Sequence, residues 1–540
     1  MKGGLVFLLA ASASAAPSSF SSETIHSDAA PILASVNAEA IPNSYIIKFK
    51  KHVDEKDASS HHSWVQSLHD EGEEKRLELR RRDLDVGILS GLKHTFNIGK
   101  DFRGYAGQFD DELVEQLRRH PDVEYIERDT IVHTMRTVPS TPEVEESCSP
   151  ETEKNSPWGL ARISHRDSLS FGTFNKYLYA DNGGEGVDVY VIDTGCNTEH
   201  VDFEGRASWG KTIPAGDDDI DGNGHGTHCS GTIAGKKYGV AKKASIYAVK
   251  VLRSNGSGTM SDVVKGVEWA ANAHIQAAKD TKAGKRKGFK GSAANMSLGG
   301  GKTVALDQVV NAAVDVGVHF AVAAGNDNAD ACNYSPAAAQ KAVTVGASAL
   351  DDSRAYFSNW GKCTDIFAPG LSIQSTWIGS KHAVNTISGT SMASPHIAGL
   401  LAYYLSLQPA ADSEYSVLPL TPAELKANII NIATEDALSG LPKGTPNVLA
   451  WNGGGCSNYS SIIKQGGYKV KADPNSRLDL EELEDAINGE LNVMSGKVLK
   501  GAESIISKAQ KFSDRVHEIV DEEIREFVES LDALDNGLPD

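Results

Sequence analysis

The chain has 540 residues, 40% of them hydrophobic and 23% charged, and a formal net charge of −19. That length allows one large core plus accessory segments, and so ordinary a composition excludes a disordered or fibrous protein. The negative balance excludes a general nucleic-acid binder, and no nucleic-acid partner is expected. It is also uneven, since residues 471–540 hold 18 acidic against 8 basic residues.

Met1–Ala16 carries one early lysine, an apolar run from Leu5 to Ala10 and small residues at Ala13-Ser14-Ala15. This pattern predicts a signal peptide, too short to span a bilayer. No later run approaches transmembrane length, so no membrane anchor is expected and the product is assigned to the secretory pathway. Six cysteines are too few for a disulfide scaffold, although that compartment permits bridges.

Residues 44–135 read as a small separate domain. Tyr45–Phe49 alternates as a strand and residues 60–80 are charged and helix-prone. Lys93–Ile98 and Tyr105–Phe109 are strand-like, Glu112–Arg119 is helical, and Val123–Ile126 closes the unit as a strand. The βαββαβ order is that of a ferredoxin-like α+β fold. Arg80-Arg81-Arg82 reads as a solvated helix end rather than a processing point. The polar, proline-rich stretch 136–157 reads as a linker.

From Trp158 the texture changes to short apolar strands (Val187–Ile192, Ser245–Leu252, Ala293–Leu298, Val318–Ala323, Ala342–Val345). Helical stretches lie between them, clearest at Asp262–Ala278 and Val304–Val316. This predicts a doubly wound α/β domain with a mostly parallel sheet, whose ligands sit at the carboxyl ends of strands. Asp193 ends the first of these strands and Asn326 follows the fourth. The lysine-rich Thr281–Lys290 lacks an aromatic stacking platform and reads as a solvated surface insertion.

Three segments carry chemistry. Val191-Ile192-Asp193-Thr194-Gly195 sets a carboxylate on a strand end, and Asp221-Gly222-Asn223-Gly224-His225-Gly226-Thr227-His228 sets a histidine in a glycine-rich turn. Gly389-Thr390-Ser391-Met392-Ala393-Ser394-Pro395-His396 sets a serine at the mouth of an apolar helix, with Pro395 read as a first-turn proline whose missing N–H costs nothing. A serine hydroxyl needs a base with a pKa near 7, and that base needs a buried carboxylate to fix its tautomer. Asp193, His225 and Ser391 meet the requirement. Two rival readings are a non-catalytic binding protein on the same fold, and a metallohydrolase using His225 and His228 with Asp193.

In these three blocks the chain resembles the subtilisin-like serine proteases (subtilases) from about Trp158 to Trp451. Its wording is similar to the proteinase K branch and, within it, to fungal vacuolar proteases of the cerevisin type. The resemblance implies Ser391 as nucleophile, His225 as general base and acid, Asp193 as orienting carboxylate and Asn326 as oxyanion donor. It implies that Ser257-Gly258 and Ser297-Leu298-Gly299 flank an extended substrate as strands. Pairing through the main chain implies broad specificity, and uncharged pocket walls imply apolar or aromatic P1 residues.

Cys229 resembles a free cysteine lying beneath the catalytic histidine. Cys332 and Cys363 match a disulfide of some relatives, and Cys148 with Cys456 is a further candidate pair without support. No cofactor is required for the implied chemistry. Structural calcium at Gln340, Ala342 and Asp365 is a candidate, because one calcium position of that branch uses two carbonyls and a carboxylate.

By the same resemblance residues 17–136 are an inhibitory propeptide, 137–455 the protease domain and 456–540 an acidic extension of unassigned role. The partners implied are protein and peptide substrates and the chain's own propeptide. The protein is expected to be a monomer in the vacuole lumen, with secretion as the alternative. Asn458 is the candidate glycosylation site, while Asn295, in the substrate segment, is expected to be unmodified.

Overall fold

The computed structural model describes residues 20–470 except for 24–28, 36–37, 81–88, 100, 135–149, 171 and 416–418. The expected signal peptide, most of the linker, Arg81 and Arg82, Cys148 and the acidic stretch 471–540 lie outside the described residues.

The small domain has the expected order: β1 (Ala40–Phe49), α1 (Glu55–Arg80), β2 (Gly91–Ile98), β3 (Phe102–Gln108), α2 (Asp111–Arg118) and β4 (Val123–Thr134). The sheet runs β2-β3-β1-β4 with antiparallel neighbours. Its core is built from the inward residues of β1 and β4 (Tyr45, Ile47, Phe49, Val123, Ile126) and of α2 (Leu113, Val114, Leu117). Asp110 starts α2 by accepting from the Leu113 amide at 2.7 Å, an N-cap that the sequence signals by Asp before an acidic first turn. A hairpin of Phe20–Glu23 and Ile32–Ser35 adds to the edge of β4. It lies upstream of the sequence-assigned domain and was not expected.

The large domain is a parallel sheet flanked by helices. In chain order its parts are β5 (Val187–Asp193), β6 (Ala207–Thr212), α3 (His225–Ala234), β7 (Ser245–Lys250), β8 (Ser257–Thr259) and α4 (Met260–Lys282). There follow β9 (Gly291–Met296), β10 (Leu298–Gly301), α5 (Val304–Asp315), β11 (Val318–Ala323), β12 (Val343–Ser348), β13 (Ile366–Pro369), α6 (Thr390–Ser406) and α7 (Pro422–Asn431). The parallel strands run β6-β7-β5-β9-β11-β12-β13. The chain leaves β5 toward one edge and returns through β9 toward the other, so Asp193 ends a strand at the switch of direction. Every residue of α6 is buried, and its polar side chains are mostly hydrogen-bonded within the core, Ser394 to Asn295, His396 to the Met392 carbonyl and Ser406 to the Tyr403 carbonyl.

The boundary expected at Cys456 falls inside the folded unit, whose described residues run to Val470. Ile462 is buried, Thr434 pairs with Tyr468, and Cys456 is disulfide-bonded. The Arg166 guanidinium stacks 3.5 Å from the centre of the Trp451 ring and donates to the Gly466 carbonyl at 2.9 Å. These contacts fasten residues that charge and composition alone had grouped with the tail. Thr281–Lys290 is likewise better anchored than its lysines suggest, since Arg286 forms a bidentate pair with the buried Asp188 at 2.6 and 2.8 Å.

Burial pushes His228 and His319 down to about 3 and His396 down to about 4. Each is neutral in the fold and ordinary in the unfolded chain. The stability they contribute is therefore complete above the unfolded value of 6.5 and is lost as pH falls toward 3–4. At pH 5 the linkage amounts to about 2 kcal/mol for each group. The urea midpoint of the mature enzyme should fall steadily below pH 6.5, and a flat profile down to pH 5 would show that these rings titrate normally.

Candidate active site

Asp193, His225 and Ser391 arrive from β5, the first residue of α3 and the first turn of α6. His225 Nδ1 lies 2.8 Å from Asp193 Oδ1, both fully buried. The two loops touch backbone to backbone, because a Cβ on Gly226 would stand 2.2 Å from the Gly195 carbonyl oxygen. Any side chain at Gly226 would push the histidine away from the carboxylate.

Asp221 organises the turn. It accepts from the amides of Asn223, Gly224 and Thr227 at 3.0, 2.9 and 2.9 Å, and from the hydroxyls of Thr194 and Thr227 at 2.9 and 2.6 Å. One carboxylate thus caps α3 and ties it to the strand end bearing Asp193. In the sequence the only signal for Asp221 is an Asp four residues before a helix-opening histidine.

The proline in α6 stands elsewhere than expected. The helix begins at Thr390, so Pro395 is its sixth residue and interior to it. Its missing N–H leaves the Ser391 carbonyl without a helical donor. That carbonyl accepts instead from Ser297 Oγ at 2.8 Å and Cys229 Sγ at 3.4 Å. The gap in the helix thereby fastens the serine backbone to β10's approach and to α3. The Ser391 hydroxyl donates to the Ser297 carbonyl at 3.1 Å, and His225 Nε2 is buried without a partner.

Asn326 has its carbonyl oxygen held by the Thr390 amide and hydroxyl at 2.8 and 2.7 Å. This fixes the amide orientation and leaves Nδ2 buried without a partner, free for a substrate oxygen. The Asn326 loop is braced by the Cys332–Cys363 disulfide and by Asn359, whose side-chain oxygen accepts from the amides of Asp327 and Ala329 at 3.0 and 2.9 Å.

Cys229 is buried beneath this arrangement. A sulfur, a ring nitrogen and a carboxylate oxygen from Cys229, His225 and Asp193 lie within 4.8 Å of one another. Burial, then the Asp193 charge, hold the Cys229 thiol well above its ordinary pKa, so it is a neutral thiol and no nucleophile. The rival metal set fails on geometry: His228 Nε2 is hydrogen-bonded to the Ile373 carbonyl at 2.8 Å and does not join Asp193 and His225.

Ser257, Gly258, Ser297, Leu298 and Gly299 border a cleft that the small domain's last strand enters. β4 pairs antiparallel with β8 (His133 to Ser257, Val132 to Gly258, Ile131 to Thr259) and with β10 (Thr134 to Leu298, His133 to Gly299). Behind it, Glu127 accepts from the first two amides of α5 at 2.8 and 2.7 Å. Asp129 accepts from the amide and hydroxyl of Ser261 at 3.0 and 2.7 Å in the first turn of α4. Two carboxylates of the small domain thus cap two helices of the large one.

The calcium expectation is corrected. Lys426 of α7 places its ammonium 3.0 Å from the Gln340 carbonyl, 2.6 Å from that of Ala342 and 2.7 Å from Asp365 Oδ2. A calcium ion needs those same oxygens at about 2.3–2.6 Å, so the lysine and the ion exclude each other. Lys426→Ala should create a calcium-dependent melting temperature where the wild-type site gives none. Equal calcium shifts in both proteins would mean that the ion displaces the ammonium.

Asn458 is exposed and caps a short helix, accepting from the Ser461 amide at 2.9 Å. Asn295 is buried, donating to Ser297 Oγ at 2.9 Å and accepting from Ser394 Oγ at 2.8 Å, so its sequon is closed to modification in the folded protein.

Comparison with known proteins agrees with this architecture. The subtilase family model matches residues 184–452, and the peptidase inhibitor I9 model matches 44–135. The chain is 68% identical over 538 residues to subtilisin-like proteinase Spm1 of Pyricularia oryzae, covering 98% of this chain and 99% of that one. It is 64% identical over 481 residues to alkaline protease 2 of Aspergillus fumigatus, covering 88% and 94%. Among solved structures, a cold-adapted subtilisin-like serine proteinase matches at 44% identity over 55% of this chain and 98% of its own, with a TM-score of 0.48. The chain belongs to the subtilase family. It is a subtilisin-like serine protease made as a zymogen, with an inhibitor I9 propeptide preceding the catalytic domain.

Proposed function

We propose that the enzyme is an endopeptidase of broad specificity in which Ser391 attacks the scissile carbonyl. His225 takes the hydroxyl proton and returns it to the leaving amine, while Asp193 holds the imidazole in the needed tautomer. On substrate binding the Ser391 hydroxyl turns from the Ser297 carbonyl to His225 Nε2, a bond often loose before the reacting complex forms. Asn326 Nδ2 and the Ser391 amide receive the oxyanion.

The observation that carries this reading is the seating of β4 between Ser257-Gly258 and Leu298-Gly299. A substrate bound in the same way is read through its main chain, with apolar or aromatic P1 residues favoured by the uncharged walls at Ala323-Ala324-Gly325 and Leu298-Gly299. Residues 17–136 act as inhibitor and are cut off in cis, leaving a mature chain that begins between about 136 and 157. The precursor enters the secretory pathway through residues 1–16. The mature enzyme works as a monomer in the vacuole lumen, glycosylated at Asn458.

A fluorophosphonate probe should label Ser391 in the mature enzyme, and activity should survive a zinc-selective chelator. Labelling elsewhere, or loss of activity to the chelator, would overturn the assignment. Asn326→Ala should lower kcat by about 10²–10³, the range known for the corresponding donor of subtilisin, with little change in KM. An unchanged kcat would remove Asn326 from the oxyanion site.

A further inference from the structure

We infer that the propeptide carries a site for a divalent transition metal of the zinc class, made by His61, His120 and Asp122 with His52 within reach as fourth ligand. One donor atom from each of His61, His120 and Asp122 lies within 4.8 Å of the other two. Donors around a tetrahedral zinc stand about 3.3 Å apart, given bond lengths near 2.0 Å, so modest side-chain rotation closes the set. His52 Nε2 lies 3.1 Å from Asp122 Oδ1, and His120 Nδ1 lies 3.8 Å from Asp122 Oδ2.

His61 packs against Phe49, Trp64 and Tyr105 and still presents one bare ring nitrogen. It is 4% exposed, and its Nδ1 has no hydrogen-bond partner. Its Nε2 is 3.0 Å from the buried Tyr105 hydroxyl. An imidazole with one nitrogen engaged by a second residue and the other left bare is the arrangement that orients a metal-bound histidine. The His120 ring meets His61 edge-on with 4.3 Å between ring centres.

The four residues come from the turn after β1, from α1 and from the turn between α2 and β4. A bound ion would therefore tie α1 to the turn after β1 and to the turn between α2 and β4, and β4 is the strand seated in the cleft. Metal would hold the inhibitor folded and prolong inhibition. The site would vanish with the propeptide, because the mature enzyme contains none of its ligands.

The test uses the full-length Ser391→Ala precursor, with intact mass verified first so that a processed chain, which bears on the catalytic assignment instead, is recognised as such. Titration with Co²⁺ should give the visible band of a four-coordinate ion at one equivalent per chain, displaced by Zn²⁺, and Zn²⁺ should raise the melting temperature. In Asp122→Asn, a conservative change at a partly exposed position, affinity should drop by at least about 100-fold, and His120→Ala should behave alike. His225→Ala in the same precursor should keep the band, separating this site from the catalytic Asp193–His225–Cys229 group, and mature wild-type enzyme should lack it. Absence of the band in the precursor, an unchanged affinity in Asp122→Asn, or loss of the band in His225→Ala would each overturn the inference and leave the histidines as core packing.

Discussion

Ser391→Ala is expected to accumulate as a precursor still carrying residues 17–136, with turnover reduced by a factor on the order of 10⁶, the scale seen when subtilisin loses its nucleophile. The argument rests on register. β4 continues from the propeptide sheet into the cleft, where Thr134 pairs with Leu298 and His133 pairs with both Ser257 and Gly299. The carbonyl of Ser297, the residue before Leu298, accepts the Ser391 hydroxyl. The described end of β4, at Thr134, therefore lies beside the segment that holds the serine hydroxyl, on the same polypeptide. A bond presented in this way is cut at a rate independent of protein concentration. N-terminal sequencing of wild type and variant, made in a host lacking related proteases, provides the check. Wild type should begin between about 136 and 157. A variant processed at the wild-type position would mean that another enzyme performs the cut.

Asp193→Asn is expected to lower the acylation rate by about 10⁴ while leaving substrate affinity nearly unchanged. The carboxylate oxygen 2.8 Å from His225 Nδ1 accepts a hydrogen bond from that nitrogen's N–H in the working tautomer. An amide placed there can present its N–H instead, and the histidine then offers Ser391 a proton rather than a lone pair. Single-turnover acylation by an activated ester is the appropriate measurement, because traces of active protease do not distort it. A loss below about tenfold would show that the carboxylate neither orients His225 nor stabilises its charged form.

Much of this was legible in the sequence, for reasons that differ from place to place. The propeptide order could be read because each strand alternates and each helix has its own stop, as at His120-Pro121. Asp193, His225 and Ser391 could be read because each sits at an element terminus in a run of small residues, where the backbone must approach another segment. Cys332 and Cys363 could be paired only through the family resemblance, and the structure joins them. What could not be read was long-range filling. Nothing local to Lys426 says that its ammonium reaches two carbonyls and a carboxylate some 60–90 residues upstream. Nothing local to Pro395 says that its missing donor would be replaced by Ser297 and Cys229. The fold boundary at the carboxyl end was misplaced for the same reason, because the stacking of Arg166 on Trp451 and its bond to the Gly466 carbonyl join segments nearly 300 residues apart in sequence.

Lys426 also changes what the enzyme's surroundings can do to it. A bound ion stabilises a fold by an amount that follows its free concentration, so a protein relying on one reports the ionic supply of its compartment. A positive charge attached to α7 is present at a local concentration fixed by the chain and is neither diluted nor sequestered. At this corner of the sheet, where β12 and β13 meet the loop through Gln340 and Ala342, the protein brings one unit of charge where an ion would bring two. In return its durability there is inherited with the sequence and does not vary with the medium.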